Sequence, residues 1–332
     1  MLQANGGACY NGRMKRILLL INPYHYGSSA LYQPLRMQQA LGDLGVAVDV
    51  VSNEGALVWL GQGQVCLGEV RHTWRLWQQD GRVLGERAEV EPRKVADYAA
   101  CIYWDKDKYT SHLLERAGVR LFNPAKAIED CDDKLQTFVR LAEAGIPLPN
   151  TVGGSLCYTP EAKVSEVQLS AVERTLGYPM VVKTCYGSFG EGVRLVRNRE
   201  ELHEVAEELL HVPHLFQQYV AESCGRDLRV IVVGGKVLSA MERRSAVDFR
   251  SNVELGGVAS AVREIPPEAI AICEKAAAVL GLDYCGCDLL WGKDGEMYLC
   301  EVNSNAYFGG MEKTGVNVAA AYARHILDQL GK

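Results

Sequence analysis

Between Tyr284 and Asn305 the sequence reads Asp288-Leu289-Leu290-Trp291, then Asp294-Gly295, then Tyr298-Leu299-Cys300-Glu301-Val302-Asn303. Asp-Gly between two apolar runs predicts a tight hairpin turn, because both central residues of such a turn need positive φ. With Asp294 and Gly295 at the centre, counting back along both arms sets Asp288 opposite Glu301. Side chains two apart on a strand share a face, so Asn303 joins the two carboxylates. Two carboxylates and an amide oxygen on one face make a candidate site for a hard divalent cation that also ligates phosphate oxygens. Solvent-facing acids on an ordinary hairpin would give the same pattern. The apolar neighbours Leu289, Leu290 and Val302 imply one buried face without saying which.

Two further segments carry candidate chemistry. Tyr178-Pro179-Met180-Val181-Val182-Lys183 reads as a strand ending in lysine, followed by Gly187-Ser188-Phe189-Gly190-Glu191-Gly192 and a second strand, Val193 to Val196. Strand, glycine loop, strand excludes both the Walker loop and the dinucleotide fingerprint, which open helices. It suits a glycine-rich cover whose backbone N–H groups approach phosphate oxygens, with Lys183 as a point charge, although an ordinary turn can look the same. Downstream, Phe216-Gln217-Gln218-Tyr219-Val220 precedes Asp227-Leu228-Arg229-Val230, a Gly234-Gly235 turn and a returning strand. Alternation places Asp227 and Arg229 on one face, opposite Leu228 and Val230. Arg243, Arg244 and Arg250 add cations able to fork onto carboxylate or phosphate.

The first third of the chain reads as an open α/β sheet over residues 14–124. Arg16 to Ile21 is a continuous apolar run, a helix with Leu35, Leu41 and Leu44 follows, and Val46 to Val51 and Ala99 to Trp104 read as further strands. Gly55 to Pro92 reads only as hairpin and loop. Residues 1–13 form an expected loose extension, 125–215 a linker helix and small central lobe, and 216–332 a lobe with the metal hairpin. A formal charge of −6 offers no basic stripe for nucleic acid. No run is apolar and long enough to span a bilayer, and Met1 to Arg13 lacks the core of a secretory signal, so a cytoplasmic protein without membrane partners is expected. Eleven cysteines include no Cys-x-x-Cys pair and read mainly as buried, reduced thiols.

The order of these motifs from about Cys131 onward resembles the ATP-grasp superfamily, and within it the RimK-like branch of amino-acid and glutamate ligases. The resemblance rests on Asp133-Lys134, Val182-Lys183, the glycine loop, Gln218-Tyr219-Val220, Asp227-x-Arg229, Asp248-Phe249-Arg250-Ser251-Asn252, Asp288, Glu301-Val302-Asn303 and Glu312-Lys313-x-Gly315. It implies a two-lobed fold with ATP between the lobes, preceded by the α/β domain. It implies that Lys134, Lys183, Gly187, Ser188, Gly190 and Gly192 meet the nucleotide phosphates. The Gln218–Val220 backbone would read adenine, Asp227 would lie near ribose, and Leu290 would line the nucleotide site. Asp288, Glu301 and Asn303 would hold Mg²⁺, for which Mn²⁺ could substitute. Arg229, Arg250, Ser251 and Asn252 would face the transferred phosphoryl group and the acyl acceptor. The implied activity is ADP-forming carboxylate–amine ligation through an acyl phosphate, on amino-acid or peptide substrates, in a chain that could be a homo-oligomer. A nucleotide-binding subunit without turnover is the alternative.

The sequence departs from that family where relatives have Glu at the position of Gln218. It departs again after Asn303, where Ser304-Asn305-Ala306-Tyr307-Phe308-Gly309-Gly310 replaces the common small-Ser-Pro-Gly segment. Substrate choice is therefore expected to rest on Asn305, Tyr307 and the Arg250 loop. Tyr24, His25, Tyr26 and Trp104 to Tyr109 offer a further candidate surface.

Overall fold

The computed structural model describes residues 9–10, 13–14, 16–22, 28–54, 57–188, 190, 192–251 and 256–331. The apolar run Arg16–Ile21 is a strand of a four-stranded parallel sheet, with Ile17 to Leu20 wholly buried. Helix Ser28–Asp43 returns the chain to Ala47–Ser52 on one side, while Ala100–Trp104 and then Leu121–Phe122 add on the other. Between the second and third strands the chain makes two antiparallel hairpins, Val58–Gly61 with Gln64–Leu67 and Glu69–Gln79 with Arg82–Lys94. The long one turns at Asp80-Gly81, both with positive φ, so the Asp-Gly signal also operates in a segment the sequence left without register.

Two antiparallel sheets follow. The first orders Thr151–Gly153, His214–Gln218, Met180–Thr184 and Val193–Val196, and packs Met180, Val182 and Phe216 against Leu169, Val172, Leu202 and Val205 of helices Glu166–Leu176 and Arg199–Glu208. The second orders Val258–Val262, Lys236–Arg244, Arg226–Val233, Tyr284–Trp291 and Met297–Asn303. One of its faces buries Leu228, Val230, Cys287, Leu289 and Val302 on helix Pro267–Leu280. The other face is divided. At one end Ile231, Met241 and Tyr284 pack with residues of helices Ser28–Asp43 and Val318–Gly331. The opposite end carries charge and forms the floor of the candidate site.

The cysteines whose side chains are described are all free, and Cys101, Cys185, Cys273, Cys285 and Cys287 are buried, as apolar packing residues. Among the described residues no helix is long and apolar enough to cross a membrane.

One side chain couples the parallel sheet to the charged sheet. Asn123, 1% exposed, donates Nδ2 to the carbonyls of Tyr284 and Ser304, both at 2.8 Å. Its Oδ1 accepts from the backbone N–H of Asp283 at 2.7 Å and of Tyr284 at 2.9 Å. An amide can donate two and accept two hydrogen bonds, and Asn123 does both. Asn123→Ala strands four backbone groups, three of them in buried bonds, and is expected to lower unfolding free energy by about 3 kcal/mol or more. Urea titration of both proteins measures this; a loss below about 1 kcal/mol would mean the two sheets are held by other contacts.

Candidate functional site

Antiparallel pairing sets Arg229 opposite Asp288 and Asp227 opposite Arg243. All four are between 4% and 8% exposed. Arg229 clasps Asp288 with Nε and Nη2, the latter at 2.7 Å from Oδ2. Arg243 clasps Asp227 through Nε at 2.7 Å and Nη2 at 2.5 Å, and the same Nη2 lies 2.9 Å from Asp288 Oδ2. Ser251 Oγ donates to Asp227 Oδ2 at 2.6 Å. Two acids and two guanidiniums therefore alternate in a charge-balanced row, Asp227–Arg243–Asp288–Arg229. Burial pushes the Asp288 carboxyl up, but its two arginines outweigh this and hold it below the usual carboxylate range. Burial and the Asp288 charge push Asp227 upward, against the opposing pull of Arg243 and Ser251.

The hairpin beside this row turns at Asp294-Gly295, with φ of 59° and 86°. Its arms do not stay in one register. Leu289 pairs with Leu299 but Asp288 with Glu301, so Cys300 is an extra, bulged residue. The bulge has a chemical consequence. Regular alternation would put Leu299 and Glu301 on the same face; instead Leu299 enters the apolar core with Leu289 while Glu301 stands with Asp288. Asn303, opposite Gly286, and Leu290, opposite Tyr298, share that face. Glu301 and Asn303 are half-buried. Gly286 is required at its position: a Cβ there would lie 2.6 Å from Ala306 Cβ and 3.3 Å from Arg229 Nη1.

The glycine loop lies under cations from several elements. Lys134 begins a helix capped by Asp133, which accepts from the N–H of Leu135 and Gln136, and its Nζ donates to the Gly187 carbonyl at 2.9 Å. Arg250 Nη1 donates to the Gly190 carbonyl at 2.7 Å while Nε and Nη2 hold Asp248 at 3.0 and 2.8 Å. Lys106, at the rim of the parallel sheet, donates to Ser188 Oγ at 3.1 Å and pairs with Asp132 at 2.8 Å. Gly192 closes the loop, its carbonyl accepting from Thr184 N–H at 3.0 Å. Burial lowers the Lys134 pKa, Lys106 and Lys183 lower it further, and Glu301 opposes them, so these groups share one electrostatic neighbourhood.

Lys183 is 8% exposed and donates to Gln217 Oε1 at 2.7 Å, with Cys300 Sγ 3.4 Å away. Gln217 in turn donates to Thr151 Oγ1 at 2.9 Å, which orients its oxygen toward the lysine. Gln217 and Cys300 carry no signal in the sequence that marks them as site residues. The neighbouring Gln218 lies on the other face of the strand, opposite Met180, and accepts from Asn150 N–H at 3.2 Å. Tyr219 meets Phe249 edge-on at 6.4 Å between centroids, and Val220 is buried. Asn252, Tyr24, His25 and Tyr26 lie outside the described residues.

A cavity of about 740 Å³ lies elsewhere, between Ser52, Trp59, Trp74 and Arg87 at the edge of the parallel sheet. Its cations Arg71 and Arg87 are already paired with Glu69 and Glu54, so the cleft with converging lysines, and not this hollow, is the candidate site.

Removing one partner from a buried lattice leaves an uncompensated charge. Arg243→Met is expected to destabilise the protein by about 3–5 kcal/mol, and Asp227→Asn in the same chain to restore part of the loss. Chemical denaturation of the single and double variants tests this; a double variant less stable than the single one would contradict the pairing.

The family described as RimK-like ATP-grasp domain matches residues 131–326. β-Citrylglutamate synthase B of Danio rerio is 36% identical over 229 residues, covering 68% of this chain and 55% of that protein. A probable α-L-glutamate ligase of Marinomonas sp. (strain MWYL1) is 30% identical over 320 residues, 94% of this chain and 95% of that protein. The crystal structure of a RimK domain ATP-grasp protein from Sphaerobacter thermophilus superposes with a TM-score of 0.65 at 18% identity, over 93% of this chain and 98% of the other. The chain thus spans about half the length of the curated synthases it matches and nearly all of the bacterial relative. By the match over residues 131–326, and with the mixed α/β architecture expected from its sequence, the chain belongs to the RimK-like ATP-grasp family.

Proposed function

We propose that the protein is an ATP-dependent carboxylate–amine ligase that activates a carboxylate as an acyl phosphate, releases ADP and joins the acyl group to an amine of an amino acid or peptide. The observation that carries this reading is the convergence of Asp288, Glu301, Asn303 and Arg229 on one sheet face with Lys134 and Lys183 beside the glycine loop. Family membership and the names of the relatives, two kinds of glutamate-joining enzyme, support it. Buried free thiols suit a reducing, cytoplasmic setting.

In this reading ATP lies between the four-stranded and five-stranded antiparallel sheets, the first parallel sheet being a separate domain on the acid-substrate side. The donor set fits a hard cation: Glu301 and Asn303 are oxygen donors at the open end of the face, next to an ionised Asp288. Bound Mg²⁺ would neutralise charge shared by the β- and γ-phosphates. Lys134 and Lys183 supply movable positive charge to the phosphate chain. Leu290 lines the base side with the Gln218–Val220 segment. Asp227, on the ribose side, has oxygens engaged by Arg243 and Ser251 and so also fixes Arg243 and the Ser251 loop. Arg229 spends Nε and Nη2 on Asp288 and brings Nη1 to the Gly286–Ala306 contact, close to the loop that follows Asn303. Such preorganised charge is what phosphoryl transfer between two anions requires.

Substrate choice falls to that loop. Asn305 donates Nδ2 to the Asp105 carbonyl at 3.0 Å, and its buried Oδ1 has no partner among the described residues. Tyr307 lies 6.1 Å from the Tyr32 ring, and its hydroxyl occupies the space of a Cβ on Gly309, 2.3 Å away. In this reading Tyr307 and Asn305 shape the acid side of the pocket, and Arg250 offers a fork for a substrate carboxylate.

Incubation with ATP, Mg²⁺ and pairs of amino acids or dipeptides, followed by mass spectrometry, is expected to give an amide product with ADP and phosphate. AMP and pyrophosphate as products would overturn the acyl-phosphate route. Glu301→Gln is expected to lower turnover by about 100-fold or more while the protein stays folded; wild-type turnover in a folded Glu301→Gln protein would remove Glu301 from the metal site. Tyr307→Ala should re-rank accepted acids with little change in KM for ATP. A uniform loss across all acids would make Tyr307 a packing residue only.

A further inference from the structure

Lys106 lies outside the segment that matches the family, in the loop that leaves strand Ala100–Trp104 of the parallel sheet, yet its side chain reaches the glycine loop. Its backbone is unusually well fixed. Asp105, 5% exposed, accepts from Asn22 Nδ2 at 3.0 Å, from Asn53 Nδ2, and from the N–H of Lys106 itself at 2.6 Å. The Asp105 carbonyl accepts from Asn305, directly after the metal hairpin. The Lys106 ammonium then spans Asp132 at 2.8 Å and Ser188 Oγ at 3.1 Å, beside Lys134, whose own ammonium holds the adjacent Gly187 carbonyl. A continuous chain of contacts thus runs from Asn305 through Asp105 and Lys106 to Ser188.

We infer that Lys106 is a positioning residue that ties the start of the glycine loop to the rim of the parallel sheet and so couples nucleotide binding to acid-substrate binding. The inference rests on the ligase reading for the identity of the two ligands, but not for the contact itself. Two observations favour coupling over a plain surface ion pair. First, Lys106 makes its loop contact with a hydroxyl, a bond that an anion near Ser188 readily perturbs, whereas its bond to Asp132 serves as a fixed pivot. Second, Lys106 stands near Lys134 over the same glycine loop, and its like charge adds to burial in lowering the Lys134 pKa, an arrangement tolerated where negative charge is to be received. The Lys106 side chain is 42% exposed, so the tie is weak enough to break and re-form in each cycle.

The test is a linkage measurement. In the wild type, the acid should bind more tightly when a non-hydrolysable ATP analogue and Mg²⁺ are present, and the ratio of the two Kd values reports the coupling. Lys106→Met keeps the side-chain stem and removes the donor. It is expected to reduce that ratio by about three- to five-fold, the size of effect an exposed ion pair supports, and Lys106→Arg should restore it. An unchanged ratio in Lys106→Met overturns the inference, as does a variant that loses analogue binding outright, which would make Lys106 a direct phosphate ligand. Amide hydrogen exchange at Tyr186 to Ser188 in the ADP- and Mg²⁺-bound protein is an independent readout. Faster exchange in Lys106→Met is expected, and equal exchange overturns the tie even if no acid substrate is ever turned over, an outcome that would count against the ligase reading alone.

Discussion

The candidate site depends on four buried charges being kept in alternation on one face of a sheet. Asp227, Arg243, Asp288 and Arg229 come from three adjacent strands and touch one another in that order. Taking any one of these ions out of water alone would cost several kcal/mol, and the alternating row roughly offsets the cost without making the fold more stable. Its effect is on specificity of register. A one-residue slip of strand Tyr284–Trp291 would send Asp288 among Leu228, Val230 and the helix Pro267–Leu280, where no guanidinium could follow. The bulge at Cys300 protects the same arrangement from the other side, because it lets Leu299 satisfy the core and Glu301 the site within one strand.

The loop after Asn303 inherits its position from this frame and from the parallel sheet. Phe308 is wholly buried and meets Tyr32, Trp104 and Tyr284 edge-on at 6.2–6.4 Å. Tyr284 stacks on Tyr322 at 4.9 Å and donates its hydroxyl to the Ala306 carbonyl, which also accepts from Gln33. Glu312 takes hydrogen bonds from Tyr32, Arg36 and the Ala319 N–H. The segment after Asn303 is thus firmly held here. Aromatic packing of this kind fixes a pocket wall within a narrow range of positions, as discrimination between similar acids requires.

Periodicity made the strands, the glycine loop and the pairing of Asp288 with Glu301 legible, since each follows from alternation around a turn residue. The pairing was read with a uniform hairpin, however, and the structure reaches it through an altered register near the turn followed by a bulge. Nothing local marks Cys300 as the extra residue; the core's need for Leu299 decides it. The same limit hid Gln217. Its neighbour Gln218 belongs to the motif, but only the antiparallel register with Val181 shows that Gln217 shares a face with Lys183. The resemblance implies that Asp227 lies near ribose; that its oxygens also engage Arg243, 16 residues on, only the strand register reveals. Lys106 stands in the Trp104–Tyr109 segment that the sequence offered as a candidate surface, but its contact with Ser188, 82 residues away, is legible only from the tertiary structure.

The cations of the cleft fall into two kinds, and the difference is physical. Arg229 and Arg243 are planar forks matched to carboxylates, each bond being between full charges, so they form a fixed frame. Lys134 and Lys183 are point charges resting on dipoles, a backbone carbonyl and a side-chain amide oxygen. A charge–dipole bond is weaker than a charge–charge bond, so an arriving anion competes with Gly187 and Gln217 far more easily than with Asp288. A chain of formal charge −6 can therefore keep an anion-receptive cleft. Its acids neutralise the arginines that must stay still, and its lysines are left on partners they can give up.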